Sequence, residues 1–111
     1  MLIALQLTGT PQGPLSGEPV RSFDAELITI GRAPNCNVVL PDSLRIISRH
    51  HARLTQQAGE VRLTCLSASA PVRVNEASVP HGGTLALRSG DVIHIGGFEL
   101  CFTAELGEPV V

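Results

Sequence analysis

Punctuation constrains this chain more than any motif does. Roughly every 8–12 residues a cluster of Gly, Pro, Asn, Asp or Ser interrupts it: "GTPQGPLSGEP", "GRAPNCN", "LPDS", "QQAGE", "SASAP", "VPHGG", "RSGD" and "IGG". Between these lie short β-branched or alternating segments: "LIALQL", "ELITI", "NVVL", "ARLTQ", "VRLTCL", "VRVN", "LALR", "VIHI" and "FELCFT". Helical periodicity is nearly absent, and this spacing belongs to an all-β sandwich or barrel. Alternation within "VRLTCL" sends Val61, Leu63 and Cys65 to one face and Arg62, Thr64 and Leu66 to the other. "VIHIGGFELCF" reads as a hairpin with Gly96-Gly97 as its two-residue turn.

With 111 residues, 43% hydrophobic and 16% charged, the chain has the makings of one globular domain. We place that domain at residues 1–105 and read 106–111 as a C-terminal tail or the start of a linker. A net charge of −2 argues against general nucleic-acid binding. All eight basic residues are arginine, so any anion site must use guanidinium groups. Cys36, Cys65 and Cys101 sit beside apolar residues at wide spacing, which fits buried free thiols in a reducing compartment. There is no CxxC pair and no ligand set of zinc spacing, so neither a metal nor another cofactor is expected. The N-terminus lacks a basic n-region, and no apolar run reaches membrane-spanning length. A cytoplasmic protein without a membrane partner is the expectation.

Polar character concentrates between Gly31 and Leu54, which hold Arg32, Arg45, Arg49 and Arg53, the adjacent His50 and His51, and Ser48. In a sandwich, loops distant in sequence meet at one end. Arg32 follows Gly31 at a strand end, where a glycine permits a tight backbone turn. Arginine supplies planar, permanently charged donors suited to phosphate oxygens, and the Ser48 hydroxyl adds another. Arg32 and Ser48 together could line a pocket for a phosphate on a partner. A nucleophilic Ser48–His51 pair lacks a GxSxG elbow and a third member, so a hydrolase is the least favoured reading. For His51 the favoured role is a hydrogen bond to loop backbone. "GRAPNCN" is not a P-loop.

"ITIGRAPNCNVVLPD", "ISRHHARL", "VRVNEASV" and "LRSGDVIHIGGFELCF" together resemble the forkhead-associated (FHA) domain, in bacterial form, over about residues 2 to 104. The family pattern of Gly-Arg, Ser-x-x-His, a strand-turn Asn and Leu-x-x-Gly-Asp-x-Ile-x-Ile-Gly falls on Gly31-Arg32, Ser48 to His51, Asn75, and Leu87 to Gly96. FHA domains read phospho-motifs through arginine. The resemblance implies a β-sandwich of about eleven strands, with binding loops at one end, that takes a phosphothreonine-containing protein made by a serine/threonine kinase. It assigns Arg32, Ser48 and Ser69 to the phosphate, Arg49 and Ala70 to the peptide, and Gly31, His51 and Asn75 to structure. It implies no enzyme. The wording is similar to bacterial signalling proteins and type VI secretion components.

One loop departs from the family. Where it typically carries Ser-Thr-Asn-Gly, this chain has "LSASAP", with Ser69, Ala70 and Pro71 at the threonine, asparagine and glycine positions. Ala70 lacks the amide that holds the peptide backbone, a loss of about 1–3 kcal/mol, or one to two decades in affinity. Pro71 stiffens the loop, and Glu76 adds a negative charge to the same segment. The alternative expectation is therefore a degenerate FHA domain acting as a phospho-independent scaffold.

Overall fold

The computed structural model describes residues 2–15, 17–42 and 45–105, so the expected tail at 106–111 lies outside the described residues. Twelve strands run in chain order: β1 (Leu2–Thr10), β2 (Gly13–Pro14), β3 (Arg21–Phe23), β4 (Leu27–Gly31), β5 (Val38–Val39), β6 (Ala52–Gln57), β7 (Glu60–Cys65), β8 (Val72–Val74), β9 (Ala77–Val79), β10 (Thr84–Leu87), β11 (Val92–Ile95) and β12 (Phe98–Glu105). No helix occurs among the described residues. These twelve, counted among the described residues, agree with the expected sandwich of about eleven strands. β2, β3 and β9 are two or three residues long and arise from pairing with a neighbour rather than from their own pattern.

Two sheets form the sandwich. The larger runs β2-β1-β12-β11-β8-β9, with β3 also on β1; the smaller runs β10-β7-β6-β4-β5. All pairs are antiparallel except β4 with β5. Alternating residues from each sheet meet in the core. β7 follows the expected alternation, with Val61, Leu63 and Cys65 buried and Arg62 exposed. Ile3, Leu5, Ile93, Ile95, Phe98, Leu100 and Phe102 face Ile28, Ile30, Leu54 and Leu63 across the interior. Each such side chain contributes about 1.5–3 kcal/mol on burial, and this core holds the two sheets in register. Of the three free thiols, Cys36 and Cys65 are buried, whereas Cys101 is half-buried on β12. The alternation there turns Leu100 and Phe102 inward instead.

Register decides which loops meet. Ile30, Ala52 and Cys65 lie abreast across β4, β6 and β7. The end of β4, the start of β6 and the end of β7 therefore open at one end of the sandwich. Val72 pairs with Ile95, which brings the Gly96-Gly97 turn to the same end. Both glycines have left-handed φ, 53° and 89°, as a tight hairpin of this kind requires.

Candidate functional site

Three loops close over that end: residues 31–37, 45–51 and 66–71. The first two are joined by backbone. Arg32 N–H donates to Ser48 C=O (3.2 Å), Ala33 N–H to Arg49 C=O (3.0 Å), and His51 N–H to Ile30 C=O (2.9 Å). Gly31 makes this approach attainable, since a Cβ there would collide with the Arg49 carbonyl oxygen. Its φ is not in the left-handed region, so its requirement is closeness to the neighbouring loop rather than a special turn. Asp42, nearly buried, accepts from the Ile47 N–H at 2.6 Å and so holds the start of the 45–51 loop.

The Arg32 side chain crosses to this second loop. Its Nε donates to the Ile47 carbonyl at 3.3 Å, so the guanidinium is anchored on one edge rather than free at the loop end. Its two terminal nitrogens make no hydrogen bond and no ion pair among the described residues. The described residues contain one ion pair, the exposed Arg62–Glu60 contact at 3.3 Å. Arg49 and His50 are exposed beside Ser48, which is half-buried.

The third loop is attached by side chains. His51 is fully buried and accepts the Ser48 N–H on Nδ1 at 3.0 Å. That acceptor role fixes the proton on Nε2, which donates to the Ala70 carbonyl at 3.0 Å. One neutral imidazole thus clamps the 48 and 70 loops together. Desolvation by burial lowers its pKa below 6.5, outweighing the upward pull of the Ala70 carbonyl and of the nearby Asp42 charge.

Ser48 Oγ lies 2.7 Å from Ser67 Oγ, which lies 3.2 Å from Ser69 Oγ. Ser67 also accepts the backbone N–H groups of Ser69 and Ala70, each at 3.2 Å. Beneath the serines, Cys65 Sγ contacts the Ser67 carbonyl (3.6 Å) and Cys36 Sγ the Arg49 carbonyl (3.3 Å). Sequence reasoning passed over Ser67, at 3% exposure the most enclosed hydroxyl in the cluster. The available signal was local: a serine two and three residues before loop amides is placed to cap both of them. Asp42 was passed over in the same way, as a side chain after a proline that holds a loop amide five residues on.

The fold brings Gly31, Arg32, Ser48, Arg49, His51, Ser69 and Ala70 to one end and leaves Asn75 out. Asn75 occupies the turn after β8, at the other end of that strand from Ser69 and Ala70. It takes a left-handed φ of 54° and braces the start of β11: its Nδ2 donates to Asp91 (2.9 Å) and its Oδ1 accepts from Val92 N–H (3.0 Å). Glu76 shares that turn, so its charge belongs to the far end. At Ala70 both backbone polar groups are engaged, by Ser67 and His51, leaving a methyl group as its side chain.

With this geometry in view, the comparisons with known proteins are consistent with one another. The FHA domain family matches residues 28–96, from β4 into the Gly96 turn. A solved structure from work on phosphothreonine-dependent FHA domain interactions is 24% identical, covering 99% of this chain and 100% of its own, with a TM-score of 0.77. The FhaA FHA domain, solved with the intracellular domain of Rv3910, is 25% identical, covering 90% and 98%, with a TM-score of 0.73. The FHA domain of the CT664 protein from Chlamydia trachomatis is 20% identical, covering 95% and 99%, with a TM-score of 0.75. These likenesses extend the match to the flanking strands that the family match leaves out. Since the family match takes in more than half of the chain, the protein belongs to the forkhead-associated domain family.

Proposed function

We propose that this domain is a recognition module, not an enzyme, that captures a phosphothreonine-containing segment of a partner protein at its three-loop end. The observation that carries the reading is Arg32, whose Nε is anchored on Ile47 while its terminal nitrogens make no hydrogen bond among the described residues. An anchored fork of this kind presents two donors to phosphate oxygens with little left to order on binding. In this reading Ser48 and Ser69 add hydroxyl donors, and Arg49, exposed next to them, reaches the peptide backbone. Ala70 offers apolar contact alone. Gly31, His51 and Asn75 act as structure. The relative solved in work on phosphothreonine-dependent interactions supports the ligand class, and FhaA, solved with an intracellular protein domain, supports a protein partner. The setting we infer is bacterial cytoplasmic signalling downstream of a serine/threonine kinase, with type VI secretion as one such context. The domain would span residues 1–105, with 106–111 leading to a linker.

A degenerate phosphothreonine library compared with its unphosphorylated counterpart tests this. Phosphorylated peptides should bind selectively, and Arg32→Ala should weaken them by at least ~30-fold, because it removes a paired charge at the contact. Equal binding of both libraries would refute the reading. A second reading rests on Ala70, which has no amide to hold a peptide. A phospho-independent scaffold predicts a partner retained after phosphatase treatment and after Arg32→Ala.

A further inference from the structure

The most enclosed hydroxyl at the binding end belongs to a residue with no role in the reading above. Ser67 is 3% exposed, and its Oγ has four polar neighbours: Ser48 Oγ at 2.7 Å, and Ser69 Oγ, Ser69 N and Ala70 N at 3.2 Å each. A hydroxyl has one proton to give and two lone pairs to fill. The two backbone N–H groups can act only as donors, so they fill both lone pairs. Neither Ser48 nor Ser69 can then donate its proton to Ser67. Ser67 must itself donate, and Ser48 Oγ is the nearer acceptor by half an ångström.

Direction follows from this count. Ser48 Oγ receives a hydrogen bond from below, and its own proton remains for a group arriving from solvent. Accepting one hydrogen bond also polarises a hydroxyl toward giving another. The Ser69 proton is likewise left over, while the Ser69 and Ala70 amides are held inward. Ser67 therefore orients the hydroxyls so that the loop end presents donors outward.

The geometry points to Ser67 as a positioning residue for the phosphate site: a buried hydrogen-bond relay that commits Ser48 to donate to an incoming anion. This rests on the proposed phosphate reading and deepens it. It also distinguishes this loop from one in which Ser48 would be satisfied within the protein and indifferent to charge.

The test is a double-mutant cycle, read by calorimetry with the tightest peptide from the phosphothreonine library. Ser67→Ala should weaken that peptide about tenfold in the wild-type background and less than about twofold when Ser48 is already alanine, since its effect passes through Ser48. Binding of Ser67→Ala at wild-type strength, or a loss that is undiminished in the Ser48→Ala background, would overturn the positioning role. Arg32→Ala is the reference that separates the two ideas: if it abolishes binding while Ser67→Ala binds at wild-type strength, the phosphate reading stands and the positioning role falls. If the wild type does not prefer phosphorylated peptide, both fall. A readout without peptide guards against a misfolded variant. In the unliganded wild type, the Ser69 and Ala70 amide protons should exchange slowly with solvent, and free exchange at both would show that Ser67 does not hold them.

Discussion

At Gly31 a methyl group would have to enter the space of the Arg49 carbonyl oxygen, and the nearest escape is to part the loops that carry Arg32 and Ser48. The Gly-Arg pair was legible in the sequence as a feature of a strand end, but its physical reason was not. A backbone approach between residues eighteen apart leaves no mark on either one's neighbours. Ser67 shows the same limit in part: its capping of the Ser69 and Ala70 amides is local, but its bond to Ser48, nineteen residues away, leaves no mark nearby. Arg32 and Ser48 could be singled out because a loop arginine and a serine carry their donor chemistry in their own side chains. The prediction at this scale is that Gly31→Ala destabilises the fold by about 1–3 kcal/mol, the range for forcing atoms into a packed contact. Urea unfolding measures it. A wild-type midpoint would mean that the two loops yield without cost.

Among elements, the β11–β12 hairpin was readable because its glycine pair sits between two alternating segments and each strand carries its own period. β2, β3 and β9 were not, because two or three residues show no period and take their conformation from a partner strand. The hairpin turn also reaches the site. A Cβ on Gly96 would strike the Ile47 side chain, and Ile47 contributes the carbonyl that anchors Arg32. Gly59 offers a matched comparison, with φ of 78° and no atom within 4 Å of a built Cβ. Both Gly→Ala changes should cost about 1–2 kcal/mol for the left-handed conformation. Gly96→Ala alone should also weaken phosphopeptide binding, by about threefold to tenfold, through displaced Ile47 and Arg32. Titrating both variants with one phosphopeptide decides the matter. Equal affinities would show the turn to be insulated from the site.

For the molecule as a whole, acid acts on fold and ligand by separate routes. The sandwich was legible because sheet periodicity and turn chemistry repeat along the chain. The coupling of His51 to folding was not, since it depends on burial and on two hydrogen bonds from different loops. The folded-state pKa of His51 lies below its unfolded value of 6.5, because desolvation penalises the imidazolium and Nδ1 is committed as an acceptor. Between those two values the unfolded chain binds a proton that the folded chain refuses. The His51 contribution is therefore complete above pH 6.5 and declines as pH falls from there toward the folded-state value. Within that window the slope cannot exceed about 1.4 kcal/mol per pH unit, the limit for one proton. Peptide phosphate loses its second charge near pH 6, so binding should weaken below that point even where the domain remains folded. Urea melts of wild type and His51→Asn across pH 7.5 to 5, without ligand, isolate the first effect, since only the wild type retains the buried imidazole. Its stability should fall more steeply with acid than that of the variant, and parallel slopes would exclude His51 as the group responsible.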